Sequence, residues 1–155
     1  MSFFENTRKP DGIGGKIMVS MMNVGHKAMA DWGFQFLKIP ANGCVLDCGC
    51  GGGANIERIL REHSKTVVRG IDYSEVSVEK SIKVNRRAID ENRCEILKAS
   101  VMQLPFQDGQ FDLVTAFETV YFWTDLLKEV LEQAGFSKVD IQKNNKGWIA
   151  VTAQK

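Results

Sequence analysis

The stretch VLDCGCGGG, residues 45–53, determines how the rest of this sequence is interpreted. It begins with the apolar run of a short strand, of the kind buried in parallel sheets. Three alternate glycines follow at Gly49, Gly51 and Gly53. Glycines at these positions let the backbone turn tightly and approach a ligand without interference from Cβ atoms. We therefore predict a buried strand followed by a ligand-binding loop.

A carboxylate further along the chain makes the glycines more informative. Asp72 follows Gly53 by about 20 residues and ends the next apolar run, TVVRGID (residues 66–72). At the end of this strand a carboxylate accepts hydrogen bonds from both ribose hydroxyls of a nucleoside. The segment after Gly53 has helical spacing, and a helix that starts there aims free backbone N–H groups at the same space. The pattern predicts a site for a nucleotide-like cofactor. For the glycines alone, a tight turn without a ligand is the alternative.

Outward from this stretch, apolar runs alternate with amphipathic segments. Strands are predicted at residues 44–49, 66–72, 94–98 and 111–117, and helices at residues 54–63 and 75–85. This alternation predicts right-handed crossovers and a parallel α/β sheet that is covered on both faces. Before the first strand, apolar residues recur at three- and four-residue steps over residues 13–37. That spacing predicts one amphipathic helix, or two helices broken near Gly25.

Four motifs in order resemble those of class I S-adenosylmethionine-dependent methyltransferases, in particular the group typified by ubiquinone and menaquinone biosynthesis enzymes. VLDCGCGGG is similar to their first motif, GIDYSE (residues 70–75) to the second, and KASVMQLPFQDGQFDLVTAF (residues 98–117) to the third and fourth. The final AGFSKVDIQKNNKGWIAVTAQK (residues 134–155) resembles their C-terminal strand, turn and antiparallel strand. The resemblance implies an α/β fold with a Rossmann-like, doubly wound sheet that is mostly parallel with an antiparallel C-terminal strand.

The resemblance also implies S-adenosyl-L-methionine as the cofactor and assigns residues to it. The backbone of Cys48, Gly49 and Gly51 lines the methionine part, and Asp47 holds the amino group directly or through water. The remaining implied contacts are those of Asp72 with the ribose hydroxyls, Tyr73 with the adenine face, Ser100 and Val101 with the adenine edge, and Phe117 at the border of the cofactor.

Ser100 departs from the family pattern. An Asp commonly stands at this position and accepts a hydrogen bond from the exocyclic amine of adenine, which a hydroxyl does only more weakly. The adenine contact then depends on the Val101 amide, at a cost of roughly 1 kcal/mol in affinity.

The acceptor is expected at the carboxyl ends of the strands, beside the glycine loop. FETVYFW, residues 117–123, leaves the fourth strand there, with Glu118 placed to orient or deprotonate an acceptor. Tyr121 is the second candidate catalytic residue. It belongs to a group of aromatic side chains that are expected to line the pocket of an apolar or planar substrate or to stabilise the sulfonium by cation–π contact. Core packing of the aromatics and a purely structural Glu118 are the alternatives. Methyl transfer from a sulfonium is an in-line displacement, so catalysis depends mostly on positioning.

Residues 1–40 are predicted to form an N-terminal helical cap, and residues 41–155 the cofactor-binding domain. The family has a helix and a fifth strand after the fourth strand, but here Trp123 is followed directly by TDLLKEVLEQAGF, residues 124–136. A crossover unit of roughly 30 residues or more is therefore missing near residues 123–124. A disordered segment left out of the sequence, a naturally trimmed chain and a strand supplied by a partner all explain this, and we favour the first.

Composition and charge limit the partners. Of the 155 residues 44% are hydrophobic, and 20 basic against 19 acidic side chains leave a formal charge of +1. That balance favours a small-molecule acceptor over nucleic acid or an anionic membrane. No apolar run approaches the roughly 18 residues of a membrane span. The oligomeric state is left open.

The four cysteines, at positions 44, 48, 50 and 94, lack zinc-site spacing to the two histidines. We therefore predict no metal, and small buried side chains in their place. Reduced thiols, in a chain that begins without an apolar signal core, favour the cytoplasm.

The predicted function is S-adenosylmethionine-dependent methyl transfer to a small organic molecule. Two alternatives stay open. One is a methyltransferase-like module that binds the cofactor without turnover, an interpretation kept open by Ser100 and by the missing strand. The other is a different nucleotide-binding α/β enzyme such as a dehydrogenase, which the G-x-G-x-G spacing disfavours because nicotinamide sites have G-x-G-x-x-G.

Overall fold

The computed structural model describes residues 27–118 and 131–154 of the chain. The helices whose bounds lie in these ranges are α1 (Lys27–Phe34), α2 (Ala54–Glu62), α3 (Glu75–Val84) and α4 (Arg86–Asp90), and residues 131–133 are also helical. The strands are β1 (Cys44–Cys48), β2 (Val67–Asp72), β3 (Cys94–Lys98), β4 (Leu113–Thr115), β5 (Ser137–Lys143) and β6 (Ile149–Gln154). The described residues fall into two compact units, one containing residues 39–118 and the other residues 28–38 with 131–154.

Four parallel strands in the order β3-β2-β1-β4 form the sheet of the first unit. The chain runs outward from β1 through α2 to β2 and through α3 and α4 to β3, and then returns to β4 on the other side of β1. This order places a topological switch point between β1 and β4, at the carboxyl end of β1. Ligands bind at such points in open α/β sheets. The predicted α/β, Rossmann-like sheet is therefore confirmed, and its topology directs attention to the residues after β1.

One face of the sheet packs against α2. The helix residues Ile56, Ile59 and Leu60 recur at three- and four-residue steps and are buried. Gly70 of β2 allows the close approach, because a Cβ there would lie 2.5 Å from Cδ1 of Ile56. The amphipathic spacing of α2 therefore both predicts the helix and selects the side that faces the sheet.

The opposite face is covered by the loop between β3 and β4. Leu46, Cys48 and Ile71 form a buried cluster on this face, and Phe106 and Phe111 of the loop pack against it. The two phenylalanine rings meet edge to face, with centroids 5.0 Å apart. The apolar runs of β1 and β2 are therefore buried on both sides, as expected for strands inside a parallel sheet.

The second unit contains an antiparallel hairpin, β5–β6, in a two-stranded sheet of its own. Its turn is closed by Asn144, whose Oδ1 accepts hydrogen bonds from the backbone N–H groups of Lys146 and Trp148. The Trp148 ring lies 6.1 Å from Trp32 of α1, and Trp32 meets Phe36 edge to face at 5.0 Å. The predicted antiparallel C-terminal strand is confirmed, but it pairs within a separate sheet.

The elements differ from the sequence-based prediction at three places. β4 spans Leu113–Thr115 and is shorter than residues 111–117, and the Asp112 carboxylate just before it accepts from the Cys44 N–H at 2.8 Å. The short helix α4 is an addition, since α3 ends at Val84 and, after Asn85, the chain turns into a second helix. Of the helical segment predicted over residues 13–37, the described part is helical at Lys27–Phe34.

The domain division and the missing crossover unit stay predictions. Most of the N-terminal cap, and the junction at residues 123–124, lie outside the described residues. Within the described part of the chain, β4 pairs with β1 on one side only, and Val114 is 57% exposed.

Candidate functional site

The glycine loop, defined here as residues 49–53, joins β1 to α2. Gly49, Gly51 and Gly53 all have positive φ angles, of 74°, 51° and 79°. The backbone N–H groups of Gly49 and Cys50 both donate to the carbonyl of Ile71, at 2.8 and 2.9 Å. The loop is therefore held against the carboxyl end of β2, in a conformation that L side chains rarely adopt.

Gly51 and Gly53 have different surroundings although their backbones are similar. A Cβ on Gly51 would have no atom of the described residues within 4 Å, so within this part of the chain Gly51 borders open space. A Cβ on Gly53 would lie 2.4 Å from Oγ of Ser81 and 2.5 Å from Nδ2 of Asn85. Gly51 is thus the position where the backbone can approach a ligand, and Gly53 the position where it packs against α3. These are two of the separate roles that glycines have in dinucleotide-binding loops.

A buried polar contact from α3, which the sequence analysis missed, holds the end of the glycine loop. Nδ2 of Asn85 donates to the carbonyls of Gly53 and Ser81, at 3.1 and 3.0 Å. Oγ of Ser81 lies 3.8 Å from Sγ of Cys50. Ser77, Ser81 and Asn85 follow one another at four-residue steps and are all buried. That polar stripe along one helix face is the signal by which the sequence could have revealed them.

Asp72 connects the end of β2 to the glycine loop. One carboxylate oxygen, Oδ2, accepts from the Gly51 N–H, and the other, Oδ1, accepts from the Ser74 N–H, each at 2.9 Å. Burial raises the pKa of the carboxyl, while the backbone hydrogen bonds from Ser74 and Gly51 act in the opposite direction. The Tyr73 backbone also hydrogen-bonds to this carboxylate, and because its two oxygens have four lone pairs in all, three backbone donors leave room for a further donor. The structure thus brings the predicted ribose acid and the predicted loop into one site.

Asp47 lies in the same region and is almost completely buried, with 1% exposed surface. Its Oδ1 accepts a hydrogen bond of 2.7 Å from Oγ1 of Thr115 in the neighbouring strand β4. Burial raises the pKa of Asp47 to about 6, with the Thr115 bond lowering it and the charge of Asp72 raising it further. Thr115 was not among the predicted site residues. A polar residue inside the apolar run FDLVTAF is the signal that marks it.

The buried Asp47 is expected to make stability depend on pH. Because its folded-state pKa lies near 6 and its ordinary value is 3.8, the folded protein holds more protons than the unfolded chain between these values. The contribution of this group is therefore greatest below about pH 4 and is lost as the pH rises to about 6. We expect Asp47→Asn to stabilise the protein at pH 7 by about 3 kcal/mol relative to the natural residue.

Thermal unfolding of both proteins between pH 4 and 8 measures this difference. Asp90→Asn is the matched control, because Asp90 is an exposed carboxylate in an i,i+4 ion pair with Arg86. Parallel stability curves for the natural protein and Asp47→Asn over this pH range would contradict the prediction.

The other predicted contacts to the nucleoside lie in the turns after β2 and β3. Tyr73 follows Asp72 directly and is 47% exposed, and Val101 is 53% exposed. Oγ of Ser100 accepts from the backbone N–H of Met102 at 3.2 Å. Since Asp72 is level with Lys98 in the parallel ladder, these turns leave the sheet at the same edge as the glycine loop. The Ser100 hydroxyl has one donor and one remaining acceptor site for a ligand.

The acceptor-side candidates follow β4. Phe117 and Glu118 are half-buried and come just after Thr115, which is level with Asp47. Glu118 has a φ of 58°, a left-handed conformation for a residue other than glycine, so the chain bends sharply where it leaves the strand. Tyr121, the other predicted catalytic residue, lies outside the described residues.

The four cysteines are free thiols, and three of them, Cys48, Cys50 and Cys94, are buried. Burial raises the pKa of Cys48 to about 11 and that of Cys94 to about 12. In residues 27–118 and 131–154, no group of three or more His, Cys, Asp or Glu side chains is arranged to hold a metal ion. No helix in the same ranges is long and apolar enough to cross a membrane.

Comparison with known proteins identifies the family. Residues 45–135 match the family described as "Methyltransferase domain". The matched region begins in β1 and ends just before β5. This chain belongs to the methyltransferase domain family. The chain is 38% identical over 74 residues to the cycloartenol-C-24-methyltransferase of Arabidopsis thaliana, a match that covers 48% of this chain and 22% of the relative.

A second relative and a solved structure extend the comparison. The 2-methoxy-6-polyprenyl-1,4-benzoquinol methylase of Caenorhabditis elegans is 31% identical over 102 residues, which covers 64% of this chain and 36% of the relative. The chain thus spans well under half of the length of either curated relative. A SAM-dependent methyltransferase from Aquifex aeolicus has the same fold, with a TM-score of 0.71 at 15% identity over 89% of this chain and 97% of that one.

These findings confirm the predicted methyltransferase family and the predicted Rossmann-like fold. The solved neighbour from Aquifex aeolicus is described as SAM-dependent, and the predicted cofactor of this chain is S-adenosyl-L-methionine. The residues present fit that cofactor, because Gly51 borders open space, Asp72 keeps acceptor sites beside it, and Asp47 supplies a second buried carboxylate. The assignment of single residues to parts of the cofactor stays a prediction.

Proposed function

We propose that the chain transfers a methyl group from S-adenosyl-L-methionine to a small organic acceptor by in-line displacement. The observation that carries the proposal is the contact between Asp72 and the glycine loop, 2.9 Å from Oδ2 to the Gly51 N–H, beside the open side of Gly51. This arrangement offers hydrogen-bond acceptors for a ribose next to a backbone that a ligand can approach closely. Family membership supports the same reaction.

In the proposed reaction the residues of this chain mainly bind and orient. The bound cofactor supplies an activated methyl group on a positively charged sulfur. Asp72 accepts from the ribose hydroxyls, the glycine loop lines the methionine part, and Asp47 accepts from the amino group. Correct alignment of donor and acceptor can contribute several kcal/mol to the barrier reduction. Glu118, at the bend after β4, orients the acceptor or takes a proton from it.

An apolar acceptor has the strongest support. Both curated relatives are named for acceptors with large hydrocarbon parts, cycloartenol in one case and a polyprenyl benzoquinol in the other. Phe117, half-buried after β4, contributes an apolar side chain at the edge of the sheet where the glycine loop lies. Tyr121 is proposed to extend this apolar surface. Nucleic acid and membrane surfaces are not proposed as partners, because the formal charge of +1 provides no excess of basic groups.

Binding and turnover together test this function. Calorimetry with S-adenosylhomocysteine and with NAD identifies the cofactor class, and we expect binding of the first only. Release of S-adenosylhomocysteine is then followed with a panel of sterols and polyprenyl quinols as acceptors. Turnover with a member of the panel supports the proposal. Binding without turnover of any acceptor indicates a cofactor-binding module, and NAD binding in place of S-adenosylhomocysteine would overturn the assignment.

A cytoplasmic location is part of the same proposal. It is supported by the four free cysteines, three of them buried, since thiols stay reduced in that compartment. Fractionation with an antibody against the chain tests it, and recovery in an oxidising compartment would contradict it.

A further inference from the structure

We propose that Thr115 is a positioning residue that orients the Asp47 carboxylate toward the amino group of the cofactor. The inference rests on the proposed function, in which Asp47 accepts from that group. Oγ1 of Thr115 donates to Oδ1 of Asp47 at 2.7 Å, across 68 residues of sequence. Both side chains are buried, with 1% of Asp47 and 4% of Thr115 exposed.

Of the two residues that are level with Asp47 in the neighbouring strands, Thr115 is the one whose side chain can donate a hydrogen bond to it. In the parallel register Asp47 is level with Gly70 of β2 and Thr115 of β4. Gly70 has no side chain, and a Cβ there would meet Cδ1 of Ile56 at 2.5 Å and Sγ of Cys50 at 3.2 Å. The β2 side of Asp47 is therefore filled by apolar atoms and sulfur. A carboxylate in such surroundings needs a donor to fix its orientation.

The Thr115 bond uses one oxygen of Asp47 and leaves the other, Oδ2, for the ligand. A hydroxyl donates a single hydrogen, and the 2.7 Å distance to Oδ1 is shorter than the 3.4 Å from the same hydroxyl to the Leu46 carbonyl. The carboxylate plane is thereby set by β4. An ammonium group placed near Oδ2 would then donate a charge-assisted hydrogen bond to this oxygen in a fixed direction.

The same bond favours the ionised form of Asp47. The charged group that acts on Asp47 from a neighbouring element is the Asp72 carboxylate at the end of β2, and Asp47 in turn raises the pKa values of the nearby thiols of Cys48 and Cys50. Burial and the negative charge of Asp72 both favour the protonated acid, and the Thr115 hydrogen bond opposes them. Without this donor, protonation of Asp47 extends to higher pH. A protonated acid is a weaker acceptor for an ammonium group.

Two substitutions separate this role from a structural one. Thr115→Val keeps the β-branched shape that suits a strand and removes the hydroxyl. Thr115→Ser keeps the hydroxyl and removes a methyl group. We expect Thr115→Val to bind S-adenosylhomocysteine about 10- to 100-fold more weakly at pH 7, because an Asp47 carboxyl that is no longer oriented and is more often protonated accepts less strongly from the ammonium group. The loss should shrink as the pH is raised to about 9, and Thr115→Ser should bind like the natural protein.

Calorimetry from pH 5.5 to 9 measures these affinities. An unchanged affinity for Thr115→Val, or a loss that is the same at every pH, would overturn the inference. Failure of the natural protein itself to bind S-adenosylhomocysteine would overturn the proposed function instead.

A measurement without ligand tests the contact between the two residues separately. In the natural protein, stability is expected to fall as the pH rises and Asp47 ionises. Thermal unfolding of Thr115→Val should show this fall continuing to higher pH. In the Asp47→Asn background the same substitution should cause no such shift, since the titrating group is gone. A shift of equal size in both backgrounds would show that Thr115 does not act on Asp47.

Discussion

Asp72→Ala is expected to lower the affinity for S-adenosylhomocysteine by about 100-fold or more. The substitution removes both predicted acceptors of the ribose hydroxyls, and a hydrogen bond to a charged group contributes roughly 1.5–3 kcal/mol. It also leaves the N–H groups of Gly51 and Ser74 without the carboxylate that they bind at 2.9 Å. The ligand contact and the shape of the glycine loop are therefore lost together. Calorimetry at pH 7 measures the effect.

Asp72→Asn and an exposed aspartate complete this experiment. Asn keeps the size of the side chain, but its NH₂ group replaces one acceptor, so we expect a loss of intermediate size. Asp90→Ala is the matched control, since Asp90 lies on the exposed side of α4 and pairs with its helix neighbour Arg86. It should bind as the natural protein does. If Asp72→Ala remains folded by circular dichroism and binds with unchanged affinity, the ribose assignment is wrong.

Gly51→Ala is expected to weaken cofactor binding at least about tenfold while costing only about 1–2 kcal/mol of stability. The stability cost arises from the positive φ of 51°, which an L side chain tolerates poorly. Among residues 27–118 and 131–154, no atom lies within 4 Å of the added methyl group, so packing in this part of the chain is not disturbed. The methyl group instead enters the space where the ligand would approach the backbone. Calorimetry and thermal unfolding of the same variant separate the two effects.

Two other glycines serve as controls for this prediction. Gly109→Ala has the same kind of backbone strain, with a φ of 71° and open surroundings, but Gly109 lies in the loop before β4. It should lose a similar stability and bind the cofactor normally. Gly53→Ala adds a clash with Ser81 and Asn85, and overpacking typically costs a further 1–3 kcal/mol. Equal binding by Gly51→Ala and Gly109→Ala would show that Gly51 does not face the ligand.

Local patterns in the sequence were sufficient to predict most elements of the first unit. The apolar runs that become β1, β2 and β3 and the helical spacing of α2 and α3 coincide with the observed elements to within about two residues. The glycine loop and Asp72 were also recognisable, because their spacing follows from a strand, a turn and a crossover of standard length. These features depend on residues that are close in sequence, so composition and periodicity contain them.

The tertiary structure alone decided which side chains meet across the sheet. Thr115 and Asp47 become neighbours only because β4 returns to the side of β1 that β2 leaves free, which no local pattern specifies. Gly51 and Gly53 look equivalent in the sequence, yet one faces open space and the other packs on Ser81. The difference arises from where α3 lies. Sequence periodicity determines which residues form strands and helices and which faces of these elements are apolar. Hydrogen-bond partners and close approaches between side chains are set by strand order and packing distance, which exist only in the folded chain.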